Sequence, residues 1–251
     1  MLNYLSAELW RMTRRRAACT GWGIYLCLAF LSGLTLRGTS PWECVLAFRN
    51  FMLIGLYVAM PLAGWAGGGL DRAGGLTNEV SFGLPRTRIY LGKLSAALLA
   101  GTALFLLTTA AFFLGALSPE AVLDAGGEDR ALAGFALLYA MFQSLPRYVG
   151  AAALAHLLVF SLHTAGLGAV LYYLYLAFGE LMLAAVSFHG LGVVGTVLNI
   201  LGDALQPFLL CGPYFSGMPP VDVGQSWLVG AAWVAATSAV GIALFRRREI
   251  R

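Results

Sequence analysis

Long apolar runs separated by short polar segments dominate the chain. A helix that crosses about 30 Å of hydrocarbon needs about 20 predominantly apolar residues. Five runs meet this requirement plainly, and a shorter sixth, residues 146–162, lies at the lower limit. The predicted spans are 17–36, 45–67, 89–117, 146–162, 166–186 and 227–245. The pattern predicts an all-α, polytopic membrane protein with six transmembrane helices in a single transmembrane domain, residues 1–251.

Two further apolar segments are interpreted as helices outside the six spans. Residues 131–145 are apolar, but Pro146 and Arg147 separate them from the fourth span, so we expect a helix at the outer surface. Residues 187–226 are interrupted by glycine, proline and Asp203. An aspartate at the bilayer centre costs about 2.5–3.5 kcal/mol. This segment therefore predicts extracellular helices that dip partway into the membrane.

The composition agrees with a membrane environment. Hydrophobic residues make up 59% of the 251 residues and charged residues 11%, against about 45–50% and about 25% in soluble domains. This composition excludes a soluble enzyme, a disordered chain and a collagen-like fibre. The net charge of +4 is explained better by membrane orientation than by nucleic-acid binding. The four cysteines form no CxxC motif, and whether Cys44 and Cys211 are bonded is left open.

The distribution of basic residues predicts the orientation. With six spans, 12 of the 16 basic residues fall on the side of the two termini. Lys93 is the single lysine among them. The four on the other side are Arg37, Arg49, Arg130 and Arg147. The positive-inside rule then places both termini in the cytoplasm. A seventh span would put the basic C-terminal segment outside, which argues against it.

The N-terminal segment, residues 3–16, predicts a basic amphipathic helix. One face carries Leu2, Leu5, Leu9 and Met12 at three- and four-residue spacing, and the rest carries Glu8, Arg11, Arg14 and Arg15. Such a helix lies in the plane of the membrane interface. The alternative is a plain cytoplasmic extension of the first span.

The loop between the second and third spans contains a short predicted helix. Thr77 suits its N-cap and Glu79 its first turn, while Gly83 and Pro85 end it. The helix comprises Leu76, Thr77, Asn78, Glu79, Val80, Ser81 and Phe82. It is expected to display Leu76, Val80 and Phe82, and apolar groups exposed in the cytoplasm invite a protein partner. The alternative is a solvated loop.

Few motifs carry chemistry of their own. The chain has no P-loop, HExxH or GxSxG motif, and the GxGxxG match at residues 190–195 lies among membrane-embedded residues. We therefore predict no catalytic residue, no metal site and no bound cofactor. Ionisable groups within spans are functional hypotheses by default, so Arg49, His156 and Glu180 are pathway candidates. A packed histidine is the alternative for His156, which shares a helix face with His163.

These features together resemble the permease subunits of ABC-2 type (type V) transporters, especially the six-span kind with a separate ATPase. The resemblance covers almost the whole chain. It rests on the interfacial helix, the six-span layout and the loop of residues 71–93. That loop has Asp71, then Asn-Glu-Val, then Gly-Leu-Pro-Arg-Thr-Arg leading to Lys93. The segment after the fifth span is longer than the family pattern, and no motif for the substrate is visible.

The resemblance implies the function and the partners. Residues 76–82 would be the coupling helix that docks on an ABC ATPase, which supplies ATP and magnesium. A second permease copy or a paralogue would complete the pathway in a bacterial plasma membrane. An exporter of an amphipathic cargo (a lipid, a peptide antibiotic or a hydrophobic drug) is the expected function. The alternatives are an ion-driven secondary carrier, which needs buried acids near mid-membrane, an intramembrane enzyme, and a scaffold without transport.

The six-span topology can be tested by cysteine labelling. In a variant without native cysteines, Asn3→Cys, Glu79→Cys and Arg251→Cys should react only with reagents that enter the cell. Asp124→Cys and Asp222→Cys should react with impermeant reagents added outside. Labelling of Arg251→Cys from outside would contradict an even number of spans.

Overall fold

The computed structural model describes residues 2–67, 79–117, 127–162, 165–179, 192–196 and 223–247. All regular structure in these residues is helical, which confirms the all-α prediction for them. The first three helices are α1 (Leu2–Thr13), α2 (Arg16–Leu34) and α3 (Pro41–Gly67). They are followed by α4 (Arg86–Ala116), α5 (Gly127–Ser161), α6 (Ala165–Leu174), which continues as the π-helix Tyr175–Gly179, and α7 (Val223–Arg247).

Three of the described helices are long and apolar enough to cross a membrane, namely Arg16–Leu34, Arg86–Ala116 and Ser226–Arg247. They correspond to the first, third and sixth predicted spans. The segments Ile54–Gly67 and Gly166–Phe178 are apolar but shorter. Large apolar side chains such as Leu28, Leu106 and Leu244 remain exposed on the long helices, as expected of surfaces that face lipid.

The predicted break at Pro146 is wrong. Residues 131–145 and 146–161 belong to one helix, α5, of 35 residues. Proline removes a hydrogen bond and costs about 3 kcal/mol inside a helix, but packing outweighs this local cost. Gly230 of α7 lies directly against the Cβ and carbonyl of Pro146. Arg147, which also suggested a boundary, is buried.

Apolar clusters hold the helices together. The first joins α3, α4, α5 and α7 around Tyr90, Phe160 and Phe245, and the second joins α2, α3 and α4 around Phe48 and Phe112. A third cluster packs Met12 of α1 against α3 and α4. Helix α1 is therefore attached to the bundle through the apolar face predicted for it.

Helices α2 and α4 approach each other through a pair of glycines. A Cβ added at Gly33 would overlap the carbonyl oxygen of Phe112, and one added at Gly115 would overlap that of Phe30. The absence of side chains at both positions lets the two backbones meet, as is typical of helix pairs in membranes.

Gly33→Ala is expected to lower the stability of the protein by about 1–3 kcal/mol, because the added methyl group forces α2 away from α4. Gly23→Ala is the matched control, since it lies on α2 with no atom within 4 Å of the added Cβ. Thermal unfolding of the purified variants in detergent measures both effects. Equal unfolding temperatures for the two variants would contradict close packing at Gly33.

Candidate functional site

Polar side chains from three segments meet at the end of the bundle where α1 lies. They are Tyr4, Glu8 and Arg11 of α1, Glu79 of the helical turn 79–81, and Lys93 of α4. We call these five residues the ionic cluster. It joins the N-terminal helix, the loop before α4, and α4 itself.

Lys93 is the centre of the ionic cluster. Its Nζ lies 2.9 Å from Oε1 of Glu8 and 3.1 Å from Oε1 of Glu79. The exposed fractions of the three side chains are 2% for Lys93, 1% for Glu8 and 12% for Glu79. The ammonium group is thus held between two carboxylates with little access to water.

Arg11 and Tyr4 complete the ionic cluster. Arg11 Nη1 lies 3.0 Å from Oε1 of Glu8 and 3.3 Å from Oε1 of Glu79, and the Tyr4 hydroxyl donates to Oε2 of Glu79 over 2.9 Å. Two positive and two negative groups therefore balance. Burial raises the pKa of Tyr4 well above its ordinary value, and the charges of Glu8 and Glu79 raise it further. Tyr4 stays a neutral hydrogen-bond donor.

The helical faces explain why these residues meet. Glu8 falls between Leu5 and Met12 at three- and four-residue spacing, so it lies on the buried face of α1 rather than on its polar face. On α4, Lys93 continues the buried face of Ile89, Ala96 and Ala97. Gly92 lies beside the ring of Tyr4, and a side chain there would overlap it.

The turn that carries Glu79 ends in a Schellman motif. Gly83 N–H donates to the Val80 carbonyl over 3.0 Å, and Leu84 N–H donates to the Glu79 carbonyl over 3.3 Å. The motif places a left-handed residue just after the helix, and Gly83 has φ of 80°. The prediction that Gly83 ends this helix is confirmed. Pro85 then lies directly before α4.

The residues predicted for ATPase coupling have different surroundings. Leu76, Thr77 and Asn78 lie outside the described residues. Phe82 is 85% exposed, as the sequence predicts. Val80, in contrast, packs against the apolar cluster around Tyr90, because the turn directs it inward.

Glu79 and Ser81 are the remaining residues predicted for ATPase coupling. Glu79 pairs within the chain rather than projecting from it, and Ser81 is exposed. The displayed apolar surface of the described turn is therefore centred on Phe82.

Of the three pathway candidates, only His156 has a side chain among the described residues. His156 is fully buried between the rings of Tyr90 and Phe160, with centroid distances of 4.9 and 4.4 Å. The backbone of Tyr90 lies near its ring, but neither ring nitrogen has a hydrogen bond. Arg49 belongs to α3, while its side chain and the whole of Glu180 lie outside the described residues.

A second polar junction lies at the same end of the bundle. Arg86, at the start of α4, donates from Nη1 to the carbonyl oxygens of Phe245 and Arg246 over 3.2 and 2.8 Å. A cation at these carbonyls also interacts favourably with the negative end of α7. Arg246 returns a bond to Thr87. The segment that carries Glu79 and Phe82 is thus followed directly by an anchored helix end.

The ionic cluster is suited to holding three segments of the chain in register. The described residues contain no group of three or more histidine, cysteine or acidic side chains that could hold a metal. Lys93 and Glu8 contact each other directly. No protein-family model matches the chain, and no curated protein matches it.

Lys93→Met is expected to destabilise the protein by about 3 kcal/mol, the low end for a broken buried pair, because Arg11 still contacts Glu8. The double variant Glu8→Gln, Lys93→Met should recover part of this loss, since it also removes the buried negative charge that Lys93 compensated. Unfolding in detergent measures both. Arg88→Met, which removes an exposed cation from the same helix, is the control and should change stability by under about 0.5 kcal/mol. If the changes in the free energy of unfolding caused by Glu8→Gln alone and by Lys93→Met alone add up to the change in the double variant, the two side chains are not coupled, and the proposed pair is contradicted.

Proposed function

We propose that this chain is the membrane permease subunit of an ATP-driven ABC exporter. In this proposal it spans a bacterial plasma membrane six times with both termini in the cytoplasm. It works with a separate ATPase and a second permease subunit. The observation that carries the proposal is the arrangement of the turn 79–81, where exposed Phe82 lies three residues from Glu79, whose carboxylate joins α1 and α4.

The ionic cluster supports a role for this turn in transmitting force. A partner that contacts Phe82 and moves it also moves Glu79, because the two residues share one hydrogen-bonded turn. Glu79 is tied to Arg11 of α1 and to Lys93 of α4. Movement at the loop therefore reaches the N-terminal helix and a long apolar helix together. Breaking the contact of Glu79 with Lys93 is costly, since removing one partner of a buried ion pair costs about 3–5 kcal/mol.

ATP enters this mechanism through the partner. A ligand shifts a conformational equilibrium only by its differential affinity for the two states. In the proposal, ATP closes the ATPase subunits, the ATPase displaces Phe82, and the ionic cluster carries the displacement to α1 and α4. The chain itself contributes no catalytic group.

The apolar interior supports an amphipathic cargo. Helices α3, α4 and α5 face one another almost entirely through apolar groups, including Val58, Leu98 and Val149. Such surfaces suit a lipid, a peptide antibiotic or a hydrophobic drug better than a bare ion, which would need polar ligands.

Phe82→Ala is expected to weaken binding of the ATPase about tenfold or more, because burying a phenylalanine contributes about 1.5–3 kcal/mol. The measurement is the amount of Walker-motif ATPase that co-purifies with the tagged chain from its native membrane. Phe135→Ala is the matched control. Phe135 is also exposed, but it lies on α5 far from the end that contacts Tyr90. Co-purification of the ATPase with Phe82→Ala at the wild-type level would contradict docking at this turn.

Glu79→Gln distinguishes docking from transmission. It leaves Phe82 in place, so the ATPase should still bind, but it weakens the contacts to Arg11 and Lys93. We therefore expect ATP hydrolysis to continue with reduced transport in reconstituted vesicles. If purified chain without any ATPase instead transports its cargo along an ion gradient, the secondary-carrier alternative is correct.

A further inference from the structure

Arg147 is a buried cation without an anionic partner among the described residues. Its side chain lies on α5 and is 3% exposed. Its Nη2 lies 3.5 Å from Oγ of Ser226, a long contact, and its Nε has no hydrogen bond. None of the ion pairs in the described part of the chain includes it. A guanidinium group cannot lose its charge in a protein, so this burial is costly unless an anion is supplied.

The contact with Ser226 places Arg147 beside the N-terminus of α7, which is a second source of positive charge. Ser226 lies in the first turn of α7, a helix of 25 residues. The N-terminus of a helix carries a partial positive charge, which stabilises anions and disfavours cations. The guanidinium group of Arg147 therefore lies at the positive end of the α7 dipole, which disfavours a cation. Within the described residues, Arg147 and the first turn of α7 together form a positive site without an anion.

The borders of this site are apolar and exposed. Phe142 of α5 and Trp227 of α7 are 57% and 42% exposed, and their ring centroids are 6.3 Å apart. Leu228 beside them is also exposed. A free inorganic ion gains nothing from these faces, whereas the chain of an amphiphile packs on them.

We propose that Arg147 and the first turn of α7 bind the phosphate group of an anionic lipid, whose acyl chain lies along Phe142 and Trp227. A guanidinium group matches a phosphate through two parallel hydrogen bonds. Because Arg147 is buried, binding of the phosphate requires α5 and α7 to move apart locally near the exposed aromatic pair. This inference does not depend on an ATPase partner.

The test measures lipid binding to the purified chain by native mass spectrometry in detergent. Phosphatidylglycerol and phosphatidylcholine with identical acyl chains are titrated separately, and inorganic phosphate is added as a competitor. The wild type is expected to bind phosphatidylglycerol about tenfold more tightly than Arg147→Gln does. Arg147→Lys should be intermediate, because it keeps the charge but loses the planar fork. Arg37→Gln is the control, since Arg37 is exposed and its Nε already donates to the Gly115 carbonyl.

A second measurement uses the wild-type fold and does not depend on the stability of the Arg147 variants. Brominated phosphatidylglycerol should quench the fluorescence of Trp227, obtained as the difference between the wild type and Trp227→Phe. Brominated phosphatidylcholine should quench it at about tenfold higher concentration, because its choline group is repelled by Arg147. Equal quenching by the two lipids would overturn the proposal.

Two other outcomes would also overturn it. Displacement of the lipid by inorganic phosphate at equal concentration would mean a site for the free ion only. Asp222 directly precedes α7 in the sequence. If Arg147→Gln and Asp222→Asn destabilise the protein non-additively and neither changes lipid binding, the anion belongs to the chain itself.

Discussion

The contact between Lys93 and Glu8 determines how α1, the loop before α4, and α4 fit together. Both side chains are almost fully buried, so neither charge can be left alone. A buried pair is not by itself more stable than apolar side chains of the same size, because both groups lose their hydration. The pair instead fixes the position of α1 relative to α4. Hydrophobic contact is non-directional, whereas only one position of α1 along α4 brings Glu8 to Lys93.

Much of the fold could be predicted because long apolar runs are unambiguous. Helices α2, α4 and α7 begin and end within four residues of the predicted spans. The stop after Phe82 was also predictable, since Gly83 provides the left-handed conformation that this turn needs. Pro146 was not, because a local rule for proline carries no information about α7. The glycine that accommodates Pro146 lies 84 residues away, at position 230.

The candidate site was only partly predictable. Glu79 and Phe82 were recognised as parts of the short helix, but the pairing of Glu79 with Arg11 and Lys93 was not predicted. Glu8 was assigned to the polar face by its residue type, although its position between Leu5 and Met12 places it on the buried face. Lys93 could have been singled out from the composition, because it is the single lysine and the other 15 basic residues are arginines. The compact ammonium group of Lys93 has three donors and reaches both carboxylates from a position with almost no access to water.

The turn 79–81 divides two roles between neighbouring residues. Its closing hydrogen bonds direct Glu79 and Val80 toward the bundle and leave Phe82 outside. Glycine at position 83 then allows the chain to reverse into Pro85 and the anchored start of α4. Because the turn is too short to be stable alone, its order comes from the contacts of Glu79 and Val80. Anything that binds Phe82 therefore acts on a surface whose shape is fixed by the ionic cluster, and a change in the cluster alters that surface in return.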